Sequence, residues 1–424
     1  MLTTGPELVC RAVQLILAGA LDATTEAALS ARLGVSPRHL RRLFIAHLGV
    51  TPDGLARSAR THFARRLLDD TDLSISTIAF AAGFGSVRQF NRSCLVVFRM
   101  TPSQLRARRR RADRLVADGG LVLRLPFRGP LDWDASLALL GTRATPGVEH
   151  VSDRTYRRTI GVDGHHGALE LTRGGPDHLL LRLHLPRWPQ LLHLVGRARR
   201  LASLDLDVGA AITQQAGDPD LGPLLTQRPG LRPPGTWDAF EVGIRAILDD
   251  PTSTETGRCL VARIVERAGE SVPGLTQLGL THTFPTPATL STAPLHDLGL
   301  TPRQAQSLRT FAAAADSGQL HLDGSLPLDR LLAHLTAVGG IDDRAASHIA
   351  FRLGETDANP DGADQPNASD RPALAAGHHG GRSQRHTSAA GTASTANPLT
   401  WTGATSTGDS SRPAGPDPPA RAAH

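Results

Sequence analysis

The sequence predicts a mainly α-helical protein with a central α+β domain, two helix-turn-helix units at its front and a disordered tail. Three observations carry this prediction. Apolar residues recur at helical spacing over residues 1–112 and again from Trp237 to Leu353. Between them, the apolar runs Leu121–Leu125 and Leu179–Leu185, with Asp163-Gly164 and Gly174-Gly175-Pro176 as turns, read as strands. From Asn359 onward neither period persists. Residues 358–424 contain no Val, Ile, Met, Phe or Tyr, and Leu374, Leu399 and Trp401 are their large apolar side chains. Such a segment buries too little surface to offset its ordering entropy.

A chain of 424 residues has room for two or three domains. The expected division is 1–112 helical, 113–122 linker, 123–235 α+β, 236–357 helical and 358–424 disordered. Hydrophobic residues at 40% and charged residues at 20% exclude a wholly disordered protein. No run of about 18 apolar residues predicts a membrane span. The start Met1-Leu2-Thr3-Thr4-Gly5-Pro6 has no basic stretch ahead of Leu15-Ile16-Leu17, so no signal peptide is expected. Cys10, Cys94 and Cys259 are odd in number and far apart, which suits a reducing cytoplasm. The adjacent pairs His165-His166 and His378-His379 read as exposed loop residues. No metal site and no cofactor are expected.

Charge is distributed unevenly. Every basic residue is Arg, and residues 1–112 hold 17 of them against 7 acids, while the whole chain carries only +6. A basic front on a mildly acidic body predicts a polyanionic partner for the front, and duplex DNA is the partner expected. Two tripartite patterns there give the reason. In the first, Ala27–Leu33 and Gly34-Val35-Ser36 precede Pro37–Phe44. Ser36 is an N-cap and Pro37 a first-turn residue, so a helix starts there. Leu40, Leu43 and Phe44 turn inward, leaving Arg38, His39, Arg41 and Arg42 outward. In the second, Ile75–Ala79 and Ala82-Gly83-Phe84-Gly85 precede Ser86–Arg92. Val87, Phe90, Cys94 and Phe98 turn inward, leaving Arg88, Gln89, Asn91 and Arg92 outward. Gly34 and Gly83 suit the tight turn between two nearly perpendicular helices. The outward residues are the types that pair with base edges. The unpatterned Arg108–Arg111 run is expected to touch phosphate.

Residues 8–106 resemble the AraC/XylS DNA-binding domain. The resemblance is carried by Ile78-Ala79-Phe80-Ala81-Ala82-Gly83-Phe84, Ser86, Phe90-Asn91-Arg92, Phe98, Thr101-Pro102 and Leu105-Arg106. It implies two recognition helices entering successive major-groove segments. The stretch Cys94-Leu95-Val96-Val97-Phe98 departs from that family by lacking a basic residue.

The body is similar to DNA-3-methyladenine glycosylase II over about residues 123–357. The matching runs are Leu125–Trp133, Arg143–Glu149, Tyr156-Arg157-Arg158, Arg228–Glu241, Leu300–Arg309 and Ile349–Arg352. The combination resembles adaptive-response alkylation repair proteins without their zinc methyltransferase module. It implies an α+β domain of the glycosylase N-terminal kind, then a helix-hairpin-helix domain. Such an enzyme flips an alkylated purine out of the stack, and a carboxylate stabilises the developing sugar cation.

By that resemblance Gly339 and Gly340 lie in the hairpin that offers amide N–H groups to a phosphate. Asp342 replaces the second hairpin glycine. An acid 5 Å from a phosphate costs roughly 3 kcal/mol before screening. Arg344 and His348 stand at aromatic positions, and Asp249–Ser253 replaces the loop carrying the wedge residue. Asp361 and Asp364 are the candidate catalytic carboxylates, with Ala363 at the aligned position. Three readings stay open: a transcription regulator with a repair-type body acting in the alkylation response, an active glycosylase whose head only localises it, and a catalytically inactive DNA-binding regulator.

Overall fold

A computed structural model describes residues 5–22, 24–109, 120–186, 188, 190–215, 226–248, 254–338, 341–353 and 358. The expected tail beyond residue 358, Asp361, Asp364, Gly339, Gly340, Arg110, Arg111 and the 249–253 loop lie outside the described residues, whereas Ala358, expected to open that tail, is buried in the core of the last part.

The front of the chain is helical: α1 (Gly5–Leu17), α2 (Glu26–Arg32), α3 (Pro37–Leu48), α4 (Pro52–Asp70), α5 (Ile75–Ala81), α6 (Val87–Phe98) and α7 (Pro102–Ala107). Hydroxyl caps set the starts. Thr25, Ser36, Thr51, Ser74, Ser86 and Thr101 each accept from a backbone N–H three residues on. Each such cap contributes about 1 kcal/mol. The long helix α4 separates the two helix-turn-helix units and buries Leu55, Ala56, Ala64, Leu67 and Leu68.

The middle begins with β1 (Leu121–Pro126) and α8 (Trp133–Arg143), followed by β2 (Glu149–Ser152), β3 (Thr155–Val162), β4 (His165–Arg173) and β5 (His178–His184). The helices α9 (Leu191–Leu201) and α10 (Val208–Gln215) follow. The strands form one antiparallel sheet in the order β1-β5-β4-β3-β2. Leu123, Leu125, Leu169, Leu171, Leu179, Leu181 and Leu183 are fully buried in its core. Two hairpins turn on residues with positive φ: Asp163-Gly164, expected from sequence, and Asp153-Arg154. The second lacks glycine, so its left-handed residues are strained. Trp133 Nε1 donates to the Arg154 carbonyl at 3.2 Å, and Asp134 grips the Arg154 guanidinium, which together hold the turn.

The helix α9 ends at Leu201. Ser203 is left-handed, and the Arg232 guanidinium captures the carbonyls of Ser203, Leu204 and Leu206. That pull bends the chain out of helix.

The last part comprises α11 (Ala239–Leu248), α12 (Thr254–Ala268), a 3-10 turn (Pro273–Leu278), α13 (Pro287–Thr292), α14 (Pro302–Asp316), α15 (Leu328–Ala337) and α16 (Asp343–Arg352). Its core has Phe240 stacked on Phe311 with centroids 5.5 Å apart. Gly243 is required there, because a Cβ would sit 2.0 Å from Phe311 Cζ.

The helical front is joined to the sheet rather than tethered beside it. One buried cluster runs from Phe63, Leu67 and Phe90 into Leu121, Leu123 and Leu125. Asp70, 5% exposed, accepts from the Arg124 backbone N–H at 3.2 Å and its guanidinium at 2.8 Å. Burial pushes the Asp70 carboxyl up while Arg124 pulls it down. Asp22 pairs with Arg60 and with His193 of α9, and Arg32 pairs with Asp323.

The polar face of the sheet makes a pH prediction. Glu170 accepts from His184 and, across the ladder, from Arg157 at 2.9 Å, which holds its carboxyl down to about 2 against an ordinary 4.5. A depressed acid stabilises the fold fully above its unfolded value and loses that contribution as pH falls through the folded one. Glu170→Gln is expected to cost roughly 1–2 kcal/mol at pH 7 after solvent screening. It should also flatten the acid-unfolding curve between pH 4.5 and about 2. Urea titrations at pH 7 and pH 3 check this, and an equal difference between the two proteins at both values contradicts it.

Candidate nucleic-acid interface

Both helix-turn-helix units form as the caps and glycines require. The turn residues Gly34 and Gly83 have φ of 70° and 83°. The Ser36 hydroxyl accepts from His39 N and the Ser86 hydroxyl from Gln89 N, each at 3.2 Å. Leu40 and Phe44 in α3, and Phe90 and Cys94 in α6, are fully buried. These anchors fix which face of each helix looks out.

The outward residues differ in how free they are. Arg38, Arg88 and Arg92 are exposed and form no ion pair among the described residues. Arg42 is exposed and hydrogen-bonds His39 Nδ1 at 3.0 Å. Arg41 is held in a two-point contact by Glu26 of α2, at 3.1 and 2.9 Å, which raises its pKa. It therefore braces α2 against α3 as well as facing out. The Gln89 side-chain carbonyl accepts from Gly85 N at 3.1 Å, closing the turn and leaving its amide N–H groups to point away. Asn91 is half-buried.

The basic run divides differently from the expectation that it only meets phosphate. Arg109 donates to the Thr71 carbonyl and to Asp72, each at 2.8 Å, and so locks the α4–α5 junction. Arg108 stays exposed.

In the body, α15 and α16 flank the expected hairpin. Asp342 accepts from Ala345 N at 2.8 Å and is the N-cap of α16. Its carboxylate satisfies one of the backbone N–H groups left free at the helix start. Arg344 is exposed and His348 half-buried, while Phe351 nearby is 46% exposed.

A second constellation was not expected at all. Glu149, Tyr156 and Arg158 from the sheet meet Glu241 and Arg245 from α11. Arg158, 2% exposed, reaches Glu241 at 2.5 Å and lies 4.7 Å from the Trp237 ring centroid. Tyr156 donates to Glu149 at 2.5 Å, and Arg245 pairs with the other Glu149 oxygen. Arg245 also donates to the Thr145 hydroxyl at 2.8 Å. The two guanidiniums hold Glu149 below the ordinary carboxylate range despite its burial, whereas burial wins at Glu241 and raises it.

Two family models match this chain: a helix-turn-helix domain over residues 29–108 and the AlkA N-terminal domain over residues 122–238. A probable bifunctional transcriptional activator/DNA repair enzyme AlkA of Mycobacterium tuberculosis is 36% identical over 357 residues, 84% of this chain and 72% of that protein. The chain belongs to the AlkA family. The DNA-3-methyladenine glycosylase 2 of Escherichia coli is 32% identical over 232 residues, 54% of this chain and 79% of that protein. A solved 3-methyladenine DNA-glycosylase from Archaeoglobus fulgidus is 20% identical, covers 56% of this chain and 81% of its own, and superposes with a TM-score of 0.49.

In this AlkA-family chain, several quoted motifs prove to be scaffold. Arg143–Glu149, Tyr156-Arg157-Arg158 and the end of Arg228–Glu241 converge on the buried charge cluster that joins the sheet to α11. Arg232, 1% exposed, ties the carbonyls of Arg128 and Pro130 to those of Ser203, Leu204 and Leu206. The resemblance was therefore legible in residues that build the body. The AlkA-family candidates for chemistry, Asp361 and Asp364, and the hairpin glycines Gly339 and Gly340 lie outside the described residues. Among the described residues no cluster of three or more His, Cys, Asp or Glu could hold a metal ion. His166 instead pairs with Glu270 at 2.6 Å. Among them, too, no helix is long and apolar enough to cross a membrane.

Proposed function

We propose that this chain is a cytoplasmic, sequence-specific DNA-binding transcription regulator. Its head is fused to a DNA-3-methyladenine glycosylase-like body and acts in the alkylation-damage response and base-excision repair. The observation that carries the reading is the pair of Ser-capped helices whose buried faces leave Arg38, Arg42, Arg88 and Arg92 turned outward. Family membership supplies the context for the body. Arg38, His39, Arg41, Arg42, Arg88, Gln89, Asn91 and Arg92 form the proposed DNA-facing set. Arg88 and Arg92 are the principal base readers of the second unit. Arg41 and Gln89 brace their own units while facing the groove, Gln89 offering its amide N–H groups. Gly339 and Gly340 are proposed to contact the backbone of DNA bound to the body.

The experiment is selection of genomic fragments by the full chain, followed by titration. One discrete sequence should be recovered, and a promoter carrying it should be bound tightly at low salt and much more weakly as salt rises. Recovery of unrelated fragments, or salt-insensitive binding, contradicts the proposal.

The regulator reading is favoured over an active enzyme by Asp342, whose carboxylate caps α16 where the hairpin would receive phosphate. Asp361 and Asp364 remain the proposed carboxylates for any residual excision.

A further inference from the structure

The two recognition helices share one register. Counted from their caps Ser36 and Ser86, Arg38 corresponds to Arg88, Arg42 to Arg92 and Ile45 to Leu95. Each helix ends on a left-handed residue, Gly49 at φ 70° and Arg99 at φ 57°. Each is then followed by a Thr cap and a Pro, Thr51-Pro52 and Thr101-Pro102. Positions i, i+4 and i+7 of a helix lie along one face. Ile45 and Leu95 therefore extend the strips made by Arg38 with Arg42 and by Arg88 with Arg92.

Neither aliphatic is needed for the core. Leu40 with Phe44, and Phe90 with Cys94, already fill the inward positions at 0% exposure, while Ile45 is 51% and Leu95 46% exposed. One exposed aliphatic on a protein surface needs no explanation. Two at the same register, each completing a strip that begins with two unburied arginines, form a repeated pattern. On the major-groove edge, guanine offers two acceptors to an arginine, and the thymine 5-methyl is the apolar group.

We propose that Ile45 and Leu95 read thymine methyl groups, one in each half of the DNA site. The strip in each unit is then two guanidiniums followed by an aliphatic side chain. This inference rests on the proposed DNA reading of α3 and α6.

The test uses the full chain and the duplex it recovers by selection, with each thymine replaced in turn by uracil, which removes only the methyl group. One position in each half should weaken binding about fourfold, the scale of one buried methyl group. Leu95→Ala should abolish the uracil penalty in one half alone, and Ile45→Ala in the other half alone. Both residues are exposed, so the variants should keep the parent's unfolding midpoint and salt dependence. If a discrete site is recovered but every thymine tolerates uracil, or the variants keep the full penalty, this inference fails while the DNA reading stands. The aliphatic pair would then be free to meet a protein. If no discrete site is recovered, the reading of the head itself fails, and this inference with it.

Discussion

Arg158→Ala is expected to lower the unfolding free energy by about 3–5 kcal/mol, because it strips one charge from a buried cluster and leaves the others there. Arg158 is 2% exposed and is the direct partner of Glu241 across the seam between sheet and α11. Its loss leaves the Glu241 carboxyl, already raised by burial, with Arg245 at 3.6 Å as its remaining close cation. It also removes the nearer of two guanidiniums over Trp237, leaving Arg197 at 5.6 Å from the ring centroid. Urea unfolding should show a lower midpoint with little change in slope. The double change Arg158→Met with Glu241→Leu should recover part of the loss, since removing both charges removes the stranded acid as well. A single-variant loss under about 1 kcal/mol, the range of an exposed pair, would contradict the role assigned to this cluster.

Excision of alkylated purines by the full chain is expected to be close to the spontaneous rate. Three parts bear on it. Asp342 fills the start of α16 with its own carboxylate. By the glycosylase resemblance, Arg344 and His348 stand where aromatic rings are expected, and Ala363 stands where the catalytic carboxylate is expected. Loss of grip acts first, because an unflipped base never meets a pocket. The measurement is 3-methyladenine released from alkylated duplex. Asp342→Gly should raise the affinity for duplex through the body, at a stability cost of a few tenths of a kcal/mol, as for exchange of an N-cap by Gly. Release far above the spontaneous rate, abolished by Asp364→Asn or by Asp361→Asn, would overturn the expectation and identify the acid responsible.

The head was readable because its signals are local. A Ser cap, a turn glycine and an apolar stripe all fall within about a dozen residues, and each has one structural meaning. The sheet was readable only at β1 and β5, which are rich in leucine. The β2–β3 hairpin turns on Asp153-Arg154, which carries no glycine to announce it, and β4 opens on the polar pair His165-His166. The charge cluster could not be read, since Arg158 and Glu241 lie 83 residues apart and Arg245 and Glu149 lie 96 apart. Motif likeness singled out Glu149, Tyr156, Arg158 and Glu241 without saying that they touch. Side-chain commitments were equally hidden. Nothing in the pattern tells that Gln89 folds back on Gly85, that Arg109 locks Thr71 and Asp72, or that Asp342 caps its own helix.

The measurement that bears most directly on the account is the affinity of the full chain for its selected site and for a scrambled duplex, over a salt series, before and after Arg88→Ala with Arg92→Ala. The parent should prefer the selected site, and both duplexes should be released as salt rises. The double variant should lose most of that preference, about 1–3 kcal/mol for each base contact removed. It should keep its salt-dependent hold on scrambled DNA. Equal weakening on both duplexes would contradict the account, because α6 would then be gripping the backbone rather than reading bases.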